Sequence, residues 1–308
     1  MSIITNFFKK KEKPKKIISF DGGGVRVIAG IVFLKKLEAH MGLKAADIFD
    51  MFIGTSAGSF NASCLALHNM SADKLKSYWS KSYLDRMMHT SFFWDRASLI
   101  QARPRYESKG RIDLLNEIFS NSTLGESYKP VVTLCYDIEK RNHVIYSSHL
   151  TPNISFVDAI AASSAAPMYF PTHQMQDETW KIDGSIVTNN PTLIGYSQAK
   201  NYFNTENIKI LSIGSGKNTK NINGESSAKW GGVGWLRNDI MGMMLDSEIH
   251  NDIAKDFFGS NYLRINSSLG SINKMLDDDS DENIEKIHLM GLDWWSEYGE
   301  TAINFLNE

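Results

Sequence analysis

Residues 52–62 read FIGTSAGSFNA, and this stretch changes from a strand pattern to a helix pattern within a few residues. The apolar run before Gly54 predicts a buried strand, and the small and apolar residues after Ser56 predict a helix. A glycine stands two residues before the serine and another, Gly58, two residues after it, so backbone segments can approach too closely for a Cβ atom. A serine at a sharp strand-to-helix turn is a nucleophile elbow, which makes Ser56 the first candidate site residue.

The composition limits the class of protein. The chain has 308 residues, of which 42% are hydrophobic and 22% charged, and its net charge is -2. This balance favours a globular protein and gives no general attraction to nucleic acid, so we expect no nucleic-acid polymer as a partner. Cys64 and Cys135 lie in apolar segments and are expected to be buried free thiols, not a disulfide or a zinc site.

Two segments carry patterns suited to a membrane surface. Residues 1–16 form a basic leader in which a short apolar patch precedes six lysines. We interpret this leader as flexible and solvated, with contact to an anionic membrane as the alternative. Residues 71–105 interleave aromatic and basic side chains, which suits a lipid–water boundary as well as ordinary packing on a core. No linker divides residues 17–308, so we predict a single domain there.

A glycine-rich turn follows the first predicted strand. After Asp21 come three consecutive glycines, namely Gly22, Gly23 and Gly24. Consecutive glycines leave backbone N–H groups free to face an anion. Nucleotide binding is the weaker interpretation, because the dinucleotide fingerprint requires glycine where this chain has Val27, and no Walker lysine is present. An oxyanion hole is the stronger one, with Arg26 either stiffening the loop or adding positive charge.

A third candidate residue is Asp183, which ends a short strand pattern and is followed by Gly184. Strand and helix patterns alternate along the chain, so we predict an α/β fold of three layers, α/β/α, with a mostly parallel central sheet. Catalytic groups gather at the carboxyl ends of strands in such sheets. A nucleophile, oxyanion donors and a base from three strand ends are the parts that acyl transfer requires.

Four motifs, in this order, resemble the patatin-like phospholipase family. They are residues 21–26 (DGGGVR), 54–58 (GTSAG), 161–167 (AASSAAP) and 183–184 (DG). The resemblance implies a patatin-like fold and hydrolysis of acyl esters in phospholipids or lysophospholipids, with transient contact to a membrane surface. It implies that Ser56 is the nucleophile, that Asp183 accepts its proton, and that no metal or cofactor takes part.

The same resemblance implies an oxyanion hole formed by the amides of residues 22–24 and supported by Arg26. Two positions depart from the family pattern. Val27 replaces a glycine, and Ser185 replaces a glycine or alanine. Both changes concern the shape of a loop more than the reaction.

Several alternatives stay open. An α/β-hydrolase triad would use His250 or His288, which follow Asp183 in the chain. A catalytically silent scaffold that binds lipid or a protein partner would keep the fold without the reaction. The acidic run 277–282 is interpreted as a solvated loop, because it lacks the glycine and glutamate of a calcium loop. Without a secretion signal, we expect a cytoplasmic protein, free or peripheral at the membrane, with a secreted effector as the alternative and regulation by an activator or by oligomerisation open.

Overall fold

The computed structural model describes residues 13–90, 103–238, 240–245 and 248–308. Its strands are β1 (Lys15–Phe20), β2 (Met51–Thr55), β3 (Val131–Asp137), β4 (Asn142–Ser147), β5 (His173–Gln174), β6 (Trp180–Asp183), β7 (Ile208–Ile213) and β8 (Tyr262–Ile265). They form one sheet in the order β5-β6-β3-β2-β1-β7-β8, and β4 also pairs with β3. The pairs of β1 with β2, β1 with β7, β2 with β3 and β7 with β8 are parallel, and the other pairs are antiparallel.

The helices connect and cover the strands. They are α1 (Ile28–Met41), α2 (Ala45–Ile48), α3 (Ala57–His68), α4 (Ala72–Ser77), α5 (Lys81–Met87), α6 (Ser108–Phe119), α7 (Phe156–Ser163), α8 (Thr192–Phe203), α9 (Gly224–Ser227), α10 (Gly232–Arg237), α11 (Ile240–Leu245), α12 (Ile249–Phe258) and α13 (Asp281–Asn307). Among the described residues, none of these helices has both the length and the apolar character needed to cross a membrane.

Successive residues of β1 face two different cores, as the period of a strand requires. Ile18 packs in the larger core together with side chains from α1, α3, α7 and α13. Ile17 packs in the smaller core together with side chains from α8 and α12. The sheet is therefore buried on both faces, and the predicted three-layer α/β/α fold with a mostly parallel sheet is confirmed.

One edge of β3 pairs with two strands placed end to end. β4 pairs with residues 132–137 of β3 and occupies the opposite edge. On the edge that β2 and β6 share, the last residue of β2, Thr55, pairs with Leu134. The last residue of β6, Asp183, pairs with the next residue along β3, Cys135. The end of β6 thus meets the end of β2 where the chain turns into α3.

Several boundaries differ from the sequence predictions. β1 begins at Lys15, so the last two residues of the predicted leader belong to the sheet, whereas residues 1–12 lie outside the described part. The small and apolar residues of 156–166 predict a helix that ends before Pro167, whereas α7 ends at Ser163. The methionine-rich stretch 235–258 predicts one helix, whereas the structure divides it among three short helices, α10, α11 and α12.

The last helix, α13, continues through Gly291 without a break. A Cβ atom at this position would lie 2.5 Å from the carbonyl oxygen of Ala29 in α1. The glycine therefore permits close packing of two helices instead of breaking one of them.

Candidate active site

Ser56 lies between β2 and α3 in a backbone conformation that residues other than glycine rarely adopt, with φ of 53°. The flanking glycines explain how this turn is accommodated. A Cβ atom on Gly54 would lie 2.2 Å from the carbonyl oxygen of Gly58, and one on Gly58 would lie 2.5 Å from that of Phe20. The predicted crowding of backbone against backbone at both glycines is thus confirmed, and the strain is concentrated at the serine.

The hydroxyl of Ser56 donates a hydrogen bond to Oδ2 of Asp183 over 2.6 Å. The other carboxylate oxygen accepts the backbone N–H of Ser185 over 2.8 Å. Asp183 is 3% exposed, so solvent competes little for either bond. The structure therefore brings together two side chains that are 127 residues apart in the chain.

Residues at the end of α7 and just beyond it bind the backbone N–H groups of both residues of this pair. Oγ of Ser163 accepts the backbone N–H of Ser56 over 3.0 Å. The carbonyl oxygen of Ala165 accepts the backbone N–H of Asp183 over 3.1 Å. The carbonyl oxygen of Ala165, two residues after the end of α7, thus joins this segment to the end of β6.

Burial raises the pKa of Asp183 above its usual range. Hydrogen bonds from Ser56 and Ser185 and the positive charge of Arg111 act in the opposite direction but do not cancel the effect. The carboxylate is therefore a stronger base than one in water, and it already contacts the hydroxyl proton that it would accept.

The glycine turn lies directly beside the serine, because a Cβ atom on Gly22 would be 3.0 Å from Cβ of Ser56. The N–H of Gly22 donates to the carbonyl oxygen of Asn189 over 3.2 Å, so the prediction that Gly22 supplies an oxyanion donor is corrected. The N–H groups of Gly23 and Gly24 make no hydrogen bond to the described residues. They lie where the 3₁₀ turn of residues 24–27 begins, and an N–H at a helix start is a suitable anion donor.

The base of the glycine turn is fixed by a buried ion pair. Arg264 binds Asp21 in bidentate fashion, with Nη1 to Oδ1 at 2.8 Å and Nη2 to Oδ2 at 2.5 Å, and it also reaches Glu248 at 3.2 Å. Burial raises the pKa of Asp21, and Arg264 and more weakly Arg26 oppose this. Arg26 is itself 2% exposed, so it acts on the turn from within the fold. Sequence reasoning named Arg26 and missed Arg264, because 243 residues separate the latter from its partner.

An apolar pocket enclosing about 90 Å³ opens beside Ser56. Its lining includes Phe60, Trp79, Leu84, Met87, Met88 and Leu115. Four of these side chains belong to the segment 71–105, which the sequence suggested for a lipid boundary. Residues 91–102 of that segment lie outside the described part of the chain.

Two parts of the pocket lining, α5 and Tyr106, are connected to the acidic run 277–282. The hydroxyl of Tyr106 donates to Oδ2 of Asp277 over 2.6 Å, and Arg105 pairs with the same oxygen over 2.6 Å. Lys81 in α5 pairs with Asp279 over 2.6 Å. Because the Asp277 side chain is only 6% exposed, the interpretation of this run as a solvated loop is wrong at that residue.

The two histidines considered for a triad are engaged elsewhere. Nδ1 of His250 lies 2.9 Å from Oγ1 of Thr188, and His288 belongs to α13, where burial and the charge of Lys76 lower its pKa. Within the described ranges, no histidine hydrogen-bonds to Ser56 or Asp183. In the same part of the chain, no three His, Cys, Asp or Glu side chains cluster as metal ligands would.

Comparison with known proteins identifies the class that this fold and site define. The family model described as patatin-like phospholipase matches residues 18–196. The chain is 29% identical to Patatin-like protein 4 of Arabidopsis thaliana over 92% of this chain and 85% of that protein. It is 24% identical to Patatin group J-1 of Solanum tuberosum over 94% of this chain and 86% of that protein.

Among solved structures, VipD from Legionella pneumophila aligns with a TM-score of 0.56 and 14% identity, over 96% of this chain and 67% of that chain. This likeness concerns the fold. The family model and the relatives define the class, which is a lipid acyl hydrolase built on an α/β sheet. The chain belongs to the patatin-like phospholipase family, as the family model and its relatives show.

Replacing Arg264 by methionine tests the ion pair below the glycine turn. Removing one partner of a buried pair leaves an uncompensated charge, so Arg264→Met should lower the free energy of unfolding by about 3–5 kcal/mol. The deficit should shrink at acidic pH, where Asp21 becomes protonated, and denaturant unfolding at several pH values measures it.

The exposed pair of Lys35 and Asp73 provides the matched control. Lys35→Met should change the free energy of unfolding far less than Arg264→Met does, because an exposed ion pair contributes little to stability. Equal losses in the two variants, or a deficit in Arg264→Met that does not depend on pH, would contradict the role given to Arg264.

Proposed function

We propose that this chain cleaves acyl esters of phospholipids or lysophospholipids with Ser56 as nucleophile and Asp183 as proton acceptor. The observation that carries this proposal is the 2.6 Å hydrogen bond from the serine hydroxyl to the buried carboxylate. It is supported by the strained backbone that presents the serine and by the free amides beside it. Residues 17–308 would act as one catalytic domain.

The proposed reaction has two stages, with Asp183 as base and then acid in each. Oγ of Ser56 attacks the ester carbonyl while its proton passes to the carboxylate, and the negative charge moves to the carbonyl oxygen facing the amides of Gly23 and Gly24. Collapse of this intermediate expels the alcohol portion of the lipid, which takes the proton from Asp183. A water molecule then attacks the acyl-serine in the same way, and a fatty acid leaves.

The burial of Asp183 makes a dyad without histidine chemically reasonable. An aspartate in water is a weak base for a serine hydroxyl. Its raised pKa makes the carboxylate more basic, and the adjacent amides stabilise the charge that develops on the substrate. Because the base must be ionised, activity should fall as the pH decreases through the pKa of Asp183.

The apolar pocket is the proposed site of the acyl chain. Its volume of about 90 Å³ holds only about three water molecules, so a long chain requires its wall to move. Met87 and Met88, which are half-buried, supply unbranched and adaptable side chains for this movement. Lys81 begins α5 and Arg105 precedes Tyr106, and side chains of α5 and Tyr106 line the pocket. Anionic lipid phosphates would compete with Asp279 and Asp277 for these two cations. We therefore propose that membrane contact loosens this wall of the pocket.

Removing either member of the dyad tests the proposal directly. Ser56→Ala and Asp183→Asn should each reduce release of fatty acid from mixed phospholipid vesicles by about 10⁴-fold or more. The first variant lacks the nucleophile, and in the second no other base among the described residues contacts the serine. Mass spectrometry of released fatty acid and lysolipid measures this, with circular dichroism to verify folding. His250→Ala and His288→Ala should retain activity.

Two results would reject the dyad. Substantial hydrolysis by folded Asp183→Asn would show that another base acts, and loss of activity in a histidine variant would favour the triad. A folded wild-type chain that releases no fatty acid, and whose Ser56 does not react with a fluorophosphonate, would instead be a silent scaffold.

Narrowing the pocket tests where the acyl chain lies. Met88→Trp should reduce hydrolysis of a long-chain ester by about tenfold or more and leave a butyrate ester nearly unaffected, since only the long chain reaches the added ring. Rates with the two p-nitrophenyl esters measure this. Met243→Trp, at a position 38% exposed and outside the pocket, is the control. Equal losses on both esters would contradict the assignment.

A further inference from the structure

Arg111 in α6 is a buried cation that the proposed reaction does not yet use. It is 3% exposed, and its Nη1 donates to both the carbonyl oxygen and the hydroxyl of Ser164, the latter over 3.1 Å. Its guanidinium carbon lies 4.3 Å from the ring centre of Phe170. Its Nε and Nη2 make no hydrogen bond to the described residues.

Such a side chain is costly to bury. A charge removed from water is usually paired with an opposite charge in direct contact, and a buried guanidinium whose donors make no hydrogen bonds is not repaid for its lost hydration. Burial lowers the pKa of Arg111 to about 10, and the charge of Asp183 opposes this. The guanidinium therefore stays charged at neutral pH, and among the described residues the negative group that acts on it is the aspartate of the dyad.

The contacts of Arg111 lead to both reactive residues. Its partner, Ser164, lies between Ser163 and Ala165 in the chain. Ser163 accepts the backbone N–H of Ser56, and Ala165 accepts that of Asp183. One residue on α6 thus fixes the short segment against which both halves of the dyad are held.

We propose that Arg111 is the positioning residue of the dyad, which clamps residues 163–165 against Ser56 and Asp183 and keeps the aspartate ionised through its charge. This inference rests on the proposed function of the same site. Burial alone favours the neutral form of Asp183, and a protonated carboxyl cannot accept the proton of the serine. The positive charge counters burial without a direct ion pair, so both carboxylate oxygens stay available to Ser56 and Ser185.

Other charges near Asp183 do not replace this effect. Burial raises the pKa of the neighbouring Cys135 thiol on β3 to about 12, so that group is neutral at physiological pH. Lys181 on β6 is paired with Asp137 on β3 over 2.9 Å, so each of these two charges already has an opposite charge in contact. The hydroxyl of Ser56 and the amide of Ser185 complete the surroundings, and neither carries charge.

Three variants separate the charge of Arg111 from its clamping contact. Arg111→Met removes both, and Arg111→Lys keeps the charge. Ser164→Ala removes the two hydrogen bonds of the hydroxyl, from Arg111 and to the carbonyl oxygen of Ile160, without changing any charge. The pH dependence of kcat/KM on a soluble ester, and of Ser56 labelling by a fluorophosphonate, is measured for each variant and for wild type.

Loss of the charge raises the pKa of Asp183, so the variant loses its base at a higher pH than wild type does. Arg111→Met should therefore shift the acidic limb of both profiles upward by about one pH unit or more. Arg111→Lys should keep the limb near that of wild type, and Ser164→Ala should lower the rate equally at all pH values. If Arg111→Met does not fold, Arg111→Gln, which retains a donor for Ser164, is expected to show the same shift.

An acidic limb in folded Arg111→Met that coincides with that of wild type would overturn the inference and leave the dyad intact. A limb shifted equally in Ser164→Ala would also overturn it, because that result assigns the effect to packing. Absence of Ser56 labelling in wild type would overturn the proposed function and this inference together.

Discussion

The site depends on a constraint of strand pairing. On the edge of β3 that lies opposite β4, each residue can pair with only one strand. β2 uses this edge as far as Leu134, and β6 uses it from Cys135 onward. Because β2 must leave, the chain turns sharply at Ser56, and because β6 arrives from the opposite direction, its last residue, Asp183, meets that turn. The sheet therefore sets the distance between hydroxyl and carboxylate, and the glycines permit the turn that the register demands.

Buried charged side chains surround the point where the ends of β2 and β6 meet. Asp183 with Arg111 lies on one side of the serine, and Asp21 with Arg264 lies under the glycine turn. Buried ionic groups seldom add much net stability, since desolvation offsets attraction. Their value here lies in orientation, because Arg264 fixes the Asp21 carboxylate just beyond β1. The Asp183 carboxylate is held at the end of β6 by hydrogen bonds from Ser56 and Ser185. Stability and chemistry are thus linked at the same sheet edge.

Local patterns carried most of the information that the sequence yielded. The elbow, the glycine turn and the strand before Asp183 each span fewer than ten residues, so periodicity and turn chemistry indicated them, and the alternation of elements indicated the layers. The engaged amide of Gly22, the role of Arg264 and the burial of Asp277 were not predictable in this way. Their partners lie 167 to 243 residues away, as the hydrogen bonds of residues 22 with 189, 21 with 264 and 106 with 277 show, and no local pattern encodes such contacts.

A crystal structure of the chain after reaction with a fluorophosphonate tests the central claim most directly, because the phosphonyl group stands in for the tetrahedral intermediate. The account predicts a covalent bond to Oγ of Ser56, a phosphonyl oxygen within hydrogen-bond distance of the amides of Gly23 and Gly24, and the amide of Gly22 still bound to Asn189. An adduct on another residue, or a phosphonyl oxygen that faces away from the glycine turn with Asp183 displaced from the serine, would contradict it.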